Sequence, residues 1–147
     1  MSGREGGQMW LIGRLHPMLV HFPIGMILAA AGAEIVAIRT GRAAWRAAAV
    51  VNARVGAAMG AVTTAAGWAL ASAPFVESGP LLTWHRWAGL AGATAAMGAA
   101  LASAWPPVES RRSVLVYRIA LFGAAALVAV AGHLGGSLVW GADFLRP

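Results

Sequence analysis

The sequence predicts an all-α integral membrane protein, a four-helix bundle with both termini on the outer, periplasmic side. Three observations carry that prediction. Of the 147 residues, 59% are hydrophobic and 11% charged, with a mean hydropathy of +0.69, too apolar for a soluble domain of this size. Four apolar runs, each near or above the roughly 20 residues that cross a hydrocarbon core, are separated by short polar links. The arginines favour alternate links, which sets the orientation.

The whole chain, 1–147, reads as one transmembrane domain. Its first fifteen residues begin polar and glycine-rich and turn interfacial at Met9-Trp10-Leu11-Ile12. A first span at about 17–38 is stopped by Arg39-Thr40-Gly41-Arg42. Pro17 suits a helix's first turn, whereas Pro23 removes an interior hydrogen bond, so this helix should start kinked or broken. A signal peptide is the competing reading, with Arg4 and Arg14 ahead of the run and Ala31-Gly32-Ala33 as a cleavage-like site. The run continues to Ile38, however, and cleavage there would delete two histidines.

The second span, about 47–73, carries Asn52 and Arg54 near one end and Gly56-x-x-x-Gly60 as a close-packing face. An isolated charge at that depth is expensive, so Glu34 and Arg54 are expected to pair with each other. After a connector containing Glu77, Gly79 and Pro80, Thr83 is the expected N-cap of a third span at about 84–105. Pro106 and Pro107 end it. Glu109-Ser110-Arg111-Arg112-Ser113 forms the next turn, and the fourth span covers about 114–140.

Seven arginines (39, 42, 46, 54, 111, 112 and 118) fall at the links between spans one and two and between three and four, against four (4, 14, 86 and 146) for the other side. That bias puts the two arginine-rich links in the cytoplasm and both termini outside. Trp10, Trp84, Trp87 and Trp140 then line the outer interface, and Trp45 and Trp105 the inner one. The net charge of +6 reports topology and attraction to anionic lipid, and nucleic acid is not an expected partner.

This topology gathers chemistry on one side. His16 and His21 open span one, His85 opens span three, and His133 lies about 10 Å below the outer end of span four, so all four histidines sit at the outer face. Without cysteine, thiolate metal sites, iron–sulfur clusters and covalent c-type haem are excluded. Imidazole is the commonest metal ligand among side chains, and six-coordinate haem b needs two on opposite faces of its ring. His21 and His133, the deeper pair, are the expected axial ligands. His16 and His85 are left for a second centre, the propionates or a quinol site. Arg14 and Arg86 stand on the correct side to hold propionates.

Glycines around His133 (Gly132, Gly135, Gly136) and below His85 (Gly89, Gly92) would give a flat ring room, or simply allow close helix packing. A straight helix holds His16 and His21 about 140° apart, so the prolines are expected to bring them together. A His-rich copper, iron or zinc site is the main competitor to haem. Hydrolysis is disfavoured, because Glu77 and Asp143 lie in loops and no carboxylate sits at comparable depth to act as base.

Three blocks of sequence carry a resemblance: His16-Pro17-x-x-Val20-His21-Phe22-Pro23-Ile24, Trp84-His85-x-x-x-Gly89, and Gly132-His133-x-Gly135-Gly136-x-Leu138-Val139-x-Gly141. Over residues 16 to 141 the chain resembles the bacterial membrane family termed domain of unknown function 2231. The resemblance implies a compact four-helix domain in the bacterial inner (cytoplasmic) membrane, in a family whose relatives are sometimes joined to redox domains. It supplies no established reaction.

The expected function is that of a small cytochrome b-like protein passing electrons between the quinone pool and a periplasmic carrier. Two alternatives stand beside it. One is a non-catalytic subunit or assembly partner of a larger membrane complex, to which small size and glycine-rich faces are suited. The other is a metal or small-solute permease, disfavoured because four helices enclose little pore.

Overall fold

The computed structural model describes residues 13–104 and 110–141, and every regular element among them is a helix. A short α1 (His16–Leu19) leads into α2 (His21–Thr40), followed by α3 (Ala43–Ala71), α4 (Pro80–Ala102) and α5 (Arg111–Trp140). The four long helices form a bundle in which α2 packs on α3, α3 on α4, α4 on α5 and α5 back on α2. Two of them, α1 and α2 taken together as His16–Thr40 and α5, are long and apolar enough to cross a membrane. The expected roles of Trp10, Trp105, Pro106, Pro107, Asp143, Arg4 and Arg146 lie outside the described residues.

Helix ends follow local chemistry, with one departure from expectation. Gly41 closes α2 at φ 67°, a left-handed cap that glycine adopts without penalty, and its N–H bonds the Ala37 carbonyl at 2.9 Å. Ser110 caps α5, its hydroxyl accepting the Ser113 N–H at 3.1 Å. Thr83, by contrast, is not a cap. Helix α4 begins at Pro80, whose missing N–H costs nothing in the first position, and the Thr83 hydroxyl donates back to the Gly79 carbonyl at 3.0 Å.

The break expected at the prolines falls just before Pro23. The interruption falls at Val20, yet Val20 keeps helical angles (φ −62°, ψ −32°). Pro23 offers no N–H to the carbonyl one turn back, and the neighbouring Ile24 N–H to Val20 carbonyl bond is stretched to 3.4 Å. The expected break is thus present as the interruption at Val20 between α1 and α2, three residues before Pro23, with the backbone keeping helical angles through it.

Small side chains fill the interior. One cluster holds Ala30, Ala53, Ala99, Tyr117 and Leu121, and the next holds Ile27, Ala57, Ala96 and Ala124. Larger aliphatics such as Leu28, Ile35, Val51, Val62 and Ile119 face outward. In water that arrangement would waste the hydrophobic effect, whereas lipid is as apolar as leucine and helices then associate through close contact of small residues. The Gly56-x-x-x-Gly60 face behaves accordingly. A Cβ on Gly56 would lie 2.8 Å from Ile27 Cδ1, and one on Gly60 3.8 Å from Ala93 Cβ. Leu121 is fully buried, so Leu121→Ala should cost about 2–5 kcal/mol, read from thermal unfolding in detergent.

At the end opposite the histidines, Glu34 is 0% exposed and accepts from both Arg46 and Arg118, the latter at 2.8 Å. The expected Glu34–Arg54 pair is thus corrected. Arg46, nearer the turn at Gly41, holds the carboxylate, while Arg54 donates to the Ser103 hydroxyl at 3.0 Å and to its carbonyl at 2.8 Å.

Candidate functional site

A cavity of about 1030 Å³ opens between the helices at the histidine end, at the upper limit of the roughly 300–1,000 Å³ typical of cofactor sites. Its walls are mostly apolar, with Ile24, Ile27, Leu82 and Val128 among them, and glycines from three helices: Gly56, Gly60 and Gly67, then Gly89 and Gly92, then Gly132, Gly135 and Gly136. Glycine at these positions leaves backbone as the wall, which widens the space without exposing polar side chains. The polar groups that reach the cavity include His16, His21, Thr63, His85, Arg86 and Glu77, so the expectation that no carboxylate stands near the histidines is corrected: Glu77, in the loop before α4, lines the same space.

His16 and His85 face each other across this space. Their ring centroids are 6.1 Å apart and their planes cross at 77°. Each ring is tied from behind. His16 Nδ1 lies 2.9 Å from the Thr63 carbonyl, and His85 Nδ1 lies 2.9 Å from the Ala131 carbonyl. A carbonyl only accepts, so Nδ1 carries the proton in both rings and Nε2 of the neutral imidazole keeps its lone pair. Fixing one ring nitrogen this way is how proteins orient a ligating histidine.

Glycines make both tethers possible. A Cβ on Gly67 would meet His16 Cε1 at 2.8 Å and Nδ1 at 2.9 Å, and one on Gly135 would meet His85 Cε1 at 3.0 Å. Each glycine lies one helical turn beyond the acceptor carbonyl, on the same face. Gly67→Val and Gly135→Val should therefore push the imidazole off its carbonyl while leaving the outer helix faces untouched. Loss of the ordered Nδ1–H signal in proton NMR of histidine-labelled protein would report this.

The other two histidines are placed differently. His21 is exposed at the cavity edge, and its Nδ1 bonds the Pro17 carbonyl of its own helix at 3.0 Å. Because the backbone through Val20 stays helical, the roughly 140° between His16 and His21 persists, and the prolines do not bring them together. His133 is exposed and does not line the cavity. It follows Ala131 by two residues, about 200° around α5, so the face that carries Ala131 and Gly135 inward turns His133 outward. The structure thus brings His16 and His85 together, leaves His21 at the edge, and does not join His133 to them. Among the described residues, no group of three or more His, Cys, Asp or Glu side chains converges.

Of the two cations expected at the site, Arg86 lines the cavity. Its guanidinium lies 3.8 Å over the Trp68 ring, which itself meets Trp87 edge-on at 6.1 Å, and its Nε is buried without a hydrogen-bond partner. Arg14 is exposed, 5.9 Å over Phe75, and is absent from the cavity wall. Sequence reasoning missed Thr63, Gly67 and Trp68. The two carbonyl acceptors carry no residue signature, but Gly67 four positions after Thr63 echoes Gly135 four after Ala131 and was available as a signal.

Residues 14–144 match the family model described as Predicted membrane protein (DUF2231). Neither the curated proteins nor the solved structures contain a match to the chain.

Proposed function

We propose, from the premise that this chain belongs to the family of predicted membrane proteins termed domain of unknown function 2231, that it is a small haem b-binding redox protein of the bacterial inner membrane. In this reading all four long helices cross the bilayer. The 29 residues of α3 and 23 of α4 suffice for the roughly 20 required, and the arginine bias sets both termini outside.

The observation that carries the reading is the tethered pair His16 and His85. Two imidazoles bound through nitrogen at about 2.0–2.1 Å on opposite sides of one metal set their centroids about 6 Å apart, against 6.1 Å here. The donor set also discriminates. Zinc or iron held by protein alone takes three or more ligands, and among the described residues no group of three His, Cys, Asp or Glu side chains converges. Haem supplies its own four equatorial nitrogens and asks the protein for two.

His16 and His85 would hold the metal, replacing the expected pair His21 and His133, and the glycine walls would accommodate the ring. Arg86, with its buried Nε free to donate, would hold a propionate; Arg14 loses that role because it stands away from the cavity. Bound haem supplies reversible one-electron transfer. The chain's residues would hold the centre in a mostly apolar wall near the outer face, which suits exchange between a quinol in the bilayer and a carrier in the periplasm.

The test is the visible spectrum and metal content of protein purified from haem-replete cells, oxidised and dithionite-reduced. The expected result is a Soret band with a sharpened α band on reduction. Colourless, metal-free protein would overturn the proposal and leave the reading of a packing subunit in a larger complex.

A further inference from the structure

The two halves of the site match too closely to be independent. His16 and His85 each open their half of the bundle, and each bonds a carbonyl on the following long helix, 47 and 46 residues later, at 2.9 Å. Each presses on a glycine one turn past that carbonyl, Gly67 or Gly135. Sequence repeats around these contacts: Ala57-Ala58-x-x-Ala61-Val62 leading to Gly67-x-x-Leu70 recurs as Ala125-Ala126-x-x-Ala129-Val130 leading to Gly135-x-x-Leu138.

The same register extends through the interior. Ala30 answers Ala99 and Ala53 answers Leu121, all four buried in one cluster, and Ile27 answers Ala96 in the next. At the far end Glu34 answers Ser103. Both are buried, and each accepts from an arginine of the other half, Arg118 for Glu34 and Arg54 for Ser103.

We infer that the chain is a tandem duplication of one two-helix unit, with its site on the two-fold axis between the copies, so that the ligand is a flat ring whose two faces are capped alike by His16 and His85. The copies run in the same direction, so the axis lies along the bundle and, in a membrane, along its normal, as in parallel repeats. A ligand with a distinct front and back, or a metal wanting three dissimilar donors, would gain nothing from such a site. A macrocycle with equivalent faces uses both halves equally. The inference rests on the haem reading and narrows it to two equivalent axial imidazoles with crossed planes.

Full-length protein loaded with haem tests it. Reconstituted with enough excess haem to fill their weakened sites, His16→Gly and His85→Gly should each convert the six-coordinate low-spin spectrum to a five-coordinate one, and added imidazole should restore both at concentrations agreeing within about twofold. That rescue also shows that the variants are folded. Wild-type protein should give the strongly anisotropic low-spin EPR signal of crossed imidazole planes, not the rhombic signal of parallel ones. If only one of the two variants changes the spectrum, the duplicated site is wrong while the haem reading survives. A wild-type protein that takes up no haem overturns the reading beneath it, and this inference falls with it.

Discussion

On the proposed haem assignment, His85→Ala and His16→Ala should each strip the protein of most of its haem, whereas His133→Ala should leave haem content and spectrum unchanged. Disturbing the partner of a ligating histidine typically costs about 10–100-fold in metal affinity, so removing the ligand itself should cost about 100-fold or more. His133 is exposed and outside the cavity wall, on the opposite side of α5 from Ala131 and Gly135. His21→Ala occupies the middle. Its ring sits at the cavity edge and bonds its own helix, so the reduced-minus-oxidised difference spectrum should persist while access of a partner at the rim changes. Haem content per purified chain, measured as the pyridine haemochrome, separates these outcomes. Equal loss from His133→Ala and His85→Ala would sink the assignment of His16 and His85.

That ranking could not be read from the sequence, and the reason is geometric. Composition gave the helices, and the Arg39-Thr40-Gly41-Arg42 stretch gave the end of α2, because those signals depend on chain position alone, whereas Pro80, read as part of a connector, opens α4. Which histidines meet depends on rotation about each helix. A helix surrounded by lipid is apolar on nearly every face, so its hydrophobic pattern does not mark the inward side as it would in a water-soluble bundle. Depth was therefore the only ruler available, and it favoured His21 and His133. In the structure rotation outweighs depth: Gly135 and Ala131 share a face that His133, two residues from Ala131, does not.

The glycines held the missing information. An imidazole edge lying on a helix backbone requires a residue without Cβ, so Gly67 and Gly135 mark the faces that His16 and His85 approach. At the other end the sequence correctly required Glu34 to have a cationic partner but misjudged which one. Glu34 sits closer to the Gly41 turn than an antiparallel match to Arg54 allows, and Arg46 reaches it first, joined by Arg118 from α5.

Glu34→Ala should destabilise the protein by about 3–5 kcal/mol, the usual cost of removing one member of a buried ion pair. Glu34 is completely buried and is the carboxylate that both Arg46 and Arg118 contact. Arg46 also lies 4.7 Å over the buried Tyr117 ring, so its head cannot swing away without losing that contact. Alanine would leave two part-buried guanidiniums side by side without their counter-charge. Glu34→Gln keeps the shape and one acceptor oxygen but not the charge, and should fall between alanine and wild type. Arg118→Met should cost least, since its side chain is 35% exposed and Arg46 still neutralises the carboxylate. Unfolding temperatures in detergent at fixed salt give the order, and equal shifts for the alanine and glutamine variants would show that shape, not charge, holds this end. The alanine clusters around Leu121 and Ala124 separate Glu34 from the histidines. Haem content per folded chain should therefore stay at the wild-type level even as the unfolding temperature falls, as expected of a structural anchor lying outside the proposed haem site.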